Sequence, residues 1–467
     1  MNRDGQSDRQ VYLLIITRRA AAEILLERSG PSWRLPRLEV SPRRRIAEQL
    51  TAAARQAWQL ETCCLFLPRI ASATDNRLSH RCALMEAAGD SDRLPADLRW
   101  VLSSVAIGEA TFPEEDRAAI AGSLEEMERY KANPATGPFA RPGWLAELFA
   151  WIQDVVSPLG LRLTGGFRQL NASPTFSLIR IETNRAALWF KAAGRPNAQE
   201  LPVTVALARL FPDCLPELLG VHAGWNGWLA HEAPGATLDG LKEISAWTRA
   251  AKALAQIQIA SIGKSRELLE SGCQDLRLPR LIGEIDPFLH RASGLMAMQT
   301  KRVPVALTDD DLELLGGELK AACLALQDTG IAETLGHLDF NPGNILVSAE
   351  GCRFLDWAQA CVTHPLITFE YLAEHSRHRD FGTATAEAQI AATYREPWSG
   401  LLAPGEFARA HSRSPLVAIF AYAVGTRGFG SPEFFENPAV ASYFRSLTRR
   451  MYREAVQLRG RSEPCLA

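Results

Sequence analysis

The chain has no long apolar run, no excess of charge of either sign and no cysteine framework. Its first ten residues are polar. The apolar run that follows, Val11 to Ile16, is too short for a secretory core, and no segment reaches the length that spans a bilayer. Secretion and membrane insertion are therefore not expected. With 51 Lys and Arg against 53 Asp and Glu, the formal net charge is −2, which argues against a protein that grips nucleic acid through a basic surface. The nine cysteines are scattered without any C-x-x-C pair, and Cys63 and Cys64 are neighbours. An odd number with no framework points to a reducing cytosol rather than to a disulfide or zinc scaffold. What remains is an ordinary globular balance, 22% charged and 47% hydrophobic, in 467 residues. That length predicts two or three domains.

The most informative stretch runs from Leu335 to Trp357. It reads Leu-Gly-His-Leu-Asp-Phe-Asn-Pro-Gly-Asn-Ile-Leu-Val, a short turn, then Cys-Arg-Phe-Leu-Asp-Trp. Its polar residues are His337, Asp339, Asn344 and Asp356. Two short apolar runs, Ile345 to Val347 and Arg353 to Leu355, flank a turn at Ser348 to Gly351 and predict a β-hairpin. One carboxylate precedes the hairpin and one follows it.

This stretch resembles the catalytic segment of the aminoglycoside phosphotransferase and choline kinase family, relatives of the protein kinases. The resemblance implies an α+β, two-lobed protein-kinase-like fold with a small antiparallel β lobe and a large helical lobe. Phosphoryl transfer needs a carboxylate to orient and deprotonate a hydroxyl, and oxygen ligands for the magnesium that bridges the nucleotide phosphates. By position, Asp339 would be the base, Asn344 and Asp356 the Mg2+ ligands, and His337 a buttress of the loop. The family usually has Gly where Leu338 stands and His where Asn341 stands. Neither position carries the phosphoryl chemistry, so both read as tolerated departures.

Upstream, Ala187-Leu188-Trp189-Phe190-Lys191 ends an apolar strand in a lysine, and a buried lysine is costly unless its charge is used. In kinase-like proteins such a lysine reaches the α/β-phosphates and pairs with a helical glutamate. Glu200, at the start of the next helix, is the candidate. Strands at Phe167 to Leu170 and Phe176 to Glu182 are joined by Asn171 to Thr175, a loop that in the family covers the phosphates. Backbone amides and the Ser173 hydroxyl could donate to phosphate oxygens there. Trp228 to Ala233 falls where the family's hinge lies, with the backbone around Glu232 and Ala233 expected to meet adenine. Pro234-Gly235 would turn the chain out of the hinge.

The N-terminal region reads as a separate α/β unit: a hairpin of Val11 to Thr17 with Glu23 to Glu27, a helix from about Arg45 to Leu60, and strands at Cys63 to Leu67 and Arg81 to Glu86. A charged helix follows from Glu114 to Tyr130. Trp-x-Leu-Pro followed by a helix containing Ala-Ala-Ala-Arg-Gln resembles a Nudix domain. Aligned on Arg55, the metal-binding glutamate positions hold Ala47, Gln56, Gln59 and Leu60, and the two glycine positions hold Ser41 and Thr62. Glu48 is one residue out of place. Neutral side chains cannot offset a hard dication, so this box is not expected to hydrolyse diphosphates. The domain reads either as a degenerate Nudix-like scaffold, docking surface or ligand sensor, or as an unrelated α/β appendage.

The implied organisation is a degenerate Nudix-like domain over residues 1–140, a linker and helix over 141–158, a kinase-like N-lobe over 159–235 and a helical C-lobe over 236–467. Residues 131–143, rich in Pro and Gly, read as the boundary loop, and Trp144 to Val156 as an amphipathic helix. In the large lobe, Trp247, Ala251, Leu254 and Gln258 share one helical face, as do Leu312, Leu315, Leu319, Ala322 and Leu326. Residues 262–303 are expected to wall the acceptor site, and Arg449, Arg450 and Arg453 to coat a solvent-facing surface.

The leading reading is a cytoplasmic, ATP-dependent phosphotransferase, with GTP as the alternative donor and Mg2+ as cofactor, acting on a hydroxyl of a small molecule. No nucleic-acid or membrane partner is expected. A protein kinase is disfavoured, because Leu355-Asp356-Trp357 replaces Asp-Phe-Gly and no Ala-Pro-Glu follows. A non-catalytic binding or regulatory module is the third reading. Retention of Lys191, Asp339, Asn344 and Asp356 speaks against it.

Overall fold

Strand β1 (Gln10–Arg18) is apolar on both faces: Leu13 and Ile15 join one core, and Tyr12, Leu14 and Ile16 another. A strand buried on both sides belongs in the middle of a covered sheet, and that is where β1 lies. The computed structural model describes residues 9–68, 81–88, 94–108 and 112–462. The polar start of the chain, which carried the reading against a secretory leader, falls mostly outside these residues, as does Cys465. The structure divides into two compact units, Met1–Leu201 with Leu218–Glu232, and Pro202–Glu217 with Ala233–Ala467.

In the first unit, β1, β2 (Glu23–Ser29), β3 (Ser32–Arg34), β4 (Arg37–Val40), β5 (Thr62–Phe66), β6 (Arg81–Ala87) and β7 (Leu98–Leu102) form a seven-stranded sheet. Its main path is β3-β2-β1-β6-β5, with β4 also on β1 and β7 also on β2. The expected hairpin is present, with Thr17 opposite Ile24, whereas β1 and β6 run parallel. The alanine-rich segment forms α1 (Ile46–Trp58), closed by Gln59 in the left-handed conformation. The short α2 (Ser103–Gly108) and the long α3 (Glu114–Ala132) follow.

A second sheet of the same unit is antiparallel throughout. Its strands are β8 (Leu163–Ala172), β9 (Phe176–Thr183), β10 (Leu188–Ala193), β11 (Leu218–His222) and β12 (Gly227–His231), in the order β11-β12-β10-β9-β8. Helix α4 (Trp144–Val156) buries Trp144, Leu148 and Ile152. One continuous core joins Leu13 and Leu84 of the first sheet, Ile120 of α3, Trp144 of α4, and Phe167, Ile179 and Phe190 of the second sheet. The stretch read as a boundary loop is inside this core: Phe139 is 1% exposed and Ala140 0%. Its Pro and Gly content set the local turns. The apolar pair between them anchors it.

Helix α5 (Glu200–Leu210) starts in the first unit and continues into the second. The second unit is mostly helical: α6 (Ile244–Ala260), α7 (Ser265–Glu270), α8 (Leu278–Ala297), α9 (Asp309–Gln327), α10 (Pro365–Arg377), α11 (Ala384–Arg395), α12 (Pro404–His411), α13 (Ser414–Gly425) and α14 (Pro438–Ser462). The predicted apolar faces of α6 and α9 are buried, Trp247, Leu254, Leu315 and Leu319 among them. Two small sheets carry the segment from Leu335 to Trp357. One is β13 (Ala236–Thr237) with β16 (Ile345–Val347) and β17 (Cys352–Phe354); the other is β14 (Gln274–Leu276) with β18 (Ala360–Thr363) and β15 (Thr334–His337). Among the described residues no helix is long and apolar enough to cross a membrane.

Candidate active site

The segment from Leu335 to Trp357 is held at both ends by β-pairing. Strand β15 enters it antiparallel to β18, with His337 opposite Ala360, and the β16–β17 hairpin leaves it with Ile345 opposite Phe354. Between them the chain turns through Asp339 and a 3-10 turn at Pro342–Asn344. The turn is set by Asn341, whose side-chain oxygen accepts from Gly343 N at 2.9 Å. This is an Asx-turn, and Pro342 supplies the matching φ.

His337 is 1% exposed and does not face a substrate. Its Nδ1 accepts from the Asp339 amide at 3.1 Å and its Nε2 lies 3.0 Å from the Leu355 carbonyl. Accepting at Nδ1 leaves the proton on Nε2, so the neutral ring donates to Leu355 and ties the loop to the residue before Asp356. The Asp339 carboxylate receives Asn341 Nδ2 on Oδ1 at 2.9 Å and Asn344 Nδ2 on Oδ2 at 3.4 Å. Asn344 Nδ2 also donates to the Asp339 carbonyl at 3.0 Å. Both amides thus orient Asp339, and neither is a cation that would quench it. Asn341 had been set aside as a tolerated departure. Its role was readable only as turn chemistry, not as a second brace of the carboxylate.

With its N–H groups spent on Asp339, Asn344 has its oxygen left to offer. The Leu355 amide donates to the Asn344 carbonyl at 2.8 Å, which keeps the following residue, Asp356, beside the end of the hairpin. Asp356 has φ 61°, a left-handed conformation tolerated by few residues other than Gly, Asn and Asp. One amide oxygen and one carboxylate are hard donors. They suit Mg2+, which keeps several waters and takes few protein ligands. Among the described residues there is no group of three or more His, Cys, Asp or Glu that would compete for a metal.

In the first unit, Lys191 sits on the central strand β10 between Leu178 and Trp228. Its Nζ meets Glu200 Oε1 at 2.5 Å, so the short interval between the two residues does not keep them apart. The side chains are 14% and 2% exposed. A lysine this enclosed is stable only with a nearby anion. The loop Ser173–Thr175 closes the β8–β9 hairpin. Ser173 accepts from Phe176 N on its hydroxyl and donates to Phe176 O through its amide, both at 2.9 Å. The hydroxyl proton is still available to a ligand.

At the end of β12 the Glu232 carboxylate takes two bonds from Arg180, at 2.6 and 2.9 Å, and one from Trp189 Nε1 at 3.1 Å. The Arg180 guanidinium holds this carboxyl below its ordinary range. The Glu232 amide donates to Ala187 O at 3.0 Å. That amide proton is therefore committed to the sheet, and only its other backbone groups remain for adenine. Ala233 opens the second unit and is half-buried. Gly235 follows at φ 112°, where an added Cβ would lie 2.5 Å from Val347 O, so the turn requires glycine.

Asp339 also lines a cavity of about 550 Å³ in the second unit. Its walls are the Leu338–Asn341 loop, α10, α13 and α14, and residues 262–303 do not line it. Those residues form α7, β14 and α8, whose apolar residues, Leu268, Leu276 and Leu281 among them, pack into the core of the second unit. Arg450, expected at a solvent-facing surface, is 38% exposed at its side chain and also lines the cavity, where it reaches Glu374 at 2.9 Å. Arg377 donates to the same Glu374 at 2.9 Å and lies 3.8 Å from Glu370, which is buried and accepts from Ser414 at 2.6 Å. Burial holds His375, another lining residue, below the ordinary imidazole value. Among the described residues Glu454, also in the wall, has no ion pair or hydrogen bond.

Residues 182–402 match the model of a family described as the phosphotransferase enzyme family. Solved structures that match the chain include a macrolide 2'-phosphotransferase from Brachybacterium faecium, at 16% identity over 65% of this chain and 98% of that one, TM-score 0.44. A choline/ethanolamine kinase family protein from Mesorhizobium loti is 17% identical over 67% of this chain and 98% of that one, TM-score 0.44. An ethanolamine kinase from Plasmodium vivax is 14% identical over 65% and 88%, TM-score 0.44. Likenesses this distant say nothing about the acceptor. No curated protein matches the chain.

Proposed function

We propose that this protein transfers the γ-phosphoryl group of ATP, or of GTP, to a hydroxyl of a small molecule, using a two-lobed kinase-like arrangement. The observation that carries the proposal is the loop at Asp339: its carboxylate is steadied by Asn341 and Asn344, and the residue lines a cavity large enough for a drug-sized molecule. In such a reaction the protein does little covalent chemistry. It positions the acceptor and neutralises charge.

Asp339 accepts the proton of the acceptor hydroxyl and aims its oxygen at the phosphorus. The amides of Asn341 and Asn344 hold that carboxylate in one orientation without protonating it. Lys191, fixed by Glu200, binds the non-transferred phosphates. Ser173 and its neighbouring amides cover them. Asn344 Oδ1 and Asp356 would hold Mg2+, which when bound offsets the negative charge of the phosphates. The short path from Asp356 through Trp357–Gln359 and β18 into α10 leaves no room for an activation segment, which favours a small acceptor over a protein one.

Charge in the cavity narrows the acceptor. Glu370 and Glu374 already lie near Arg377 and Arg450, so these charges cancel. Asp339 and Glu454 are the carboxylates without a cationic partner. Much of the remaining wall is apolar or phenolic, with Ile419, Leu447, Tyr422 and Tyr443. This suits an alcohol with an apolar or aromatic body and no more than one cationic group, because each further ammonium would be desolvated without a counter-charge.

ATP consumption measured over a library of metabolites and antibiotics, with Asp339→Ala as control, tests the proposal. Acceptor-dependent turnover lost in the variant supports it. Turnover of equal rate in the variant rejects the mechanism, and a preference for polycationic acceptors rejects the acceptor class.

A further inference from the structure

The two sheets of the first unit each end in an edge strand, β5 in one and β8 in the other. Edge strands carry unpaired backbone groups that must be covered or solvated. Here the two edges meet, and the joint is made by a side chain. Gln169 of β8 is 1% exposed. Its carboxamide accepts from Cys64 N at 2.7 Å and donates to Cys64 O at 2.9 Å. The side chain thus takes the place of a peptide group on a neighbouring strand. Both strands are irregular here: the β5–β6 register shifts between Cys64 and Phe66, and the β8–β9 register between Gln169 and Asn171. Bulges of this kind re-aim side chains.

The neighbours of Gln169 are held from the same side. Arg55 of α1 donates to the Phe167 carbonyl at 3.1 Å, and Glu48 of α1 lies 3.4 Å from Arg168. These are the two charged residues that remain in the helix resembling a Nudix box. They are seven residues apart, two turns of helix, and so share a face. That face is docked on β8. Beyond the joint, Phe139 N donates to Pro174 O at 3.2 Å, at the tip of the loop that carries Ser173.

We propose that the N-terminal domain is a clamp on the edge strand of the small lobe, and that Gln169 is a positioning residue that sets the Ser173–Thr175 loop for nucleotide phosphates. The clamp fixes Phe167, Arg168 and Gln169 before the tip and Pro174 within it. A loop ordered in advance does not have to be ordered by the ligand. The former box helix contributes its charged face to this contact and so does not present it to a diphosphate. The role assigned to the loop rests on the phosphotransferase reading. The clamp itself does not.

The test uses the full chain carrying Gln169→Met, which keeps length and removes the carboxamide, and Arg55→Met, a milder lesion at the exposed side of the joint. Amide hydrogen exchange is read at residues 171–176, and KM for nucleotide is read separately from kcat. Faster exchange at 171–176, with exchange in α9 and α13 unchanged, is the expected result for both variants. If the competent loop falls to about a tenth of the population, nucleotide KM rises about tenfold while kcat at saturation stays within about twofold. Unchanged exchange at 171–176 in folded variants overturns the clamp. Faster exchange with an unchanged nucleotide KM overturns the positioning role. If Gln169→Met does not fold, Arg55→Met decides by the same two readings. Absence of nucleotide turnover in the unmodified protein defeats the phosphotransferase reading and the positioning role with it, while the exchange result still decides the clamp.

Discussion

Asn344 gives both of its observed side-chain bonds to Asp339, one to the carbonyl at 3.0 Å and one to the carboxylate at 3.4 Å. One residue therefore braces the proposed base and keeps its side-chain oxygen without a protein donor among the described residues. Asn341 shares only the first of these duties.

That division separates two variants. Asn344→Ala is expected to raise the Mg2+ concentration for half-maximal activity by roughly 10- to 100-fold, as loss of a ligand or its support does at metal sites. Asn341→Ala should lower kcat and leave the Mg2+ requirement unchanged. Magnesium titrations of both enzymes check this, and a shared shift would mean that Asn344 is not a ligand.

Asp339→Ala should lower turnover by roughly 10²- to 10⁴-fold, the usual contribution of a positioned general base. Nucleotide affinity, measured by calorimetry, should change little, because Asp339 is assigned to the acceptor and not to the phosphates. A parallel loss of nucleotide binding would place Asp339 in the wrong role.

Lys191→Met is expected to do the reverse. Nucleotide KM rises, and the melting temperature falls as well, since Glu200 is 1% exposed and loses the cation 2.5 Å away. Breaking an enclosed ion pair on one side costs about 3 kcal/mol. Lys191→Arg tests geometry against charge: a planar guanidinium does not fit the site of a point-like ammonium, so it should restore stability better than activity.

Arg450 offers a handle on acceptor choice. Arg450→Met leaves Glu374 with Arg377 and His378 and makes the cavity one charge more negative. The ratio of KM values for a neutral and a monocationic alcohol on one scaffold should move toward the cation, by about fivefold for roughly 1 kcal/mol. No movement would show that Glu374 does not sense the acceptor.

His364 supplies a stability prediction. It is fully buried before α10, and neither ring nitrogen has a hydrogen-bond partner among the described residues. Burial lowers its pKa from 6.5 to about 3. Across that window the unfolded chain binds a proton that the folded chain refuses. The stability contribution is thus full above the unfolded value and is lost as pH falls toward the folded one, at about 1.4 kcal/mol per pH unit. His364→Phe should flatten the decline between pH 6.5 and 5 in urea unfolding experiments and cost little at pH 7. An unchanged slope would mean that His364 is not the group responsible.

Local regularities were read well because they are written in consecutive residues. The helix predicted over Trp144–Val156 has those bounds, and the hairpin after Asn344 lies where its turn residues put it. The reading was weakest where polarity misled it. Residues 131–143 have the composition of a linker, yet Phe139 and Ala140 complete a core whose other members come from both sheets. Arg450, read as surface, also turns to Glu374 in the cavity wall.

The chemical parts are legible in consecutive residues: a carboxylate and an amide on one short loop, a second carboxylate after a hairpin, and a lysine closing an apolar strand. Close spacing is enough for that, since a few residues of turn and strand fix how far apart such groups can be. Long-range packing, by contrast, pairs Gln169 with Cys64, 105 residues earlier, and brings Arg450 of α14 to Glu374. Those contacts depend on which sheet edges and helix faces are left to bury once each element has formed, and no local period records it.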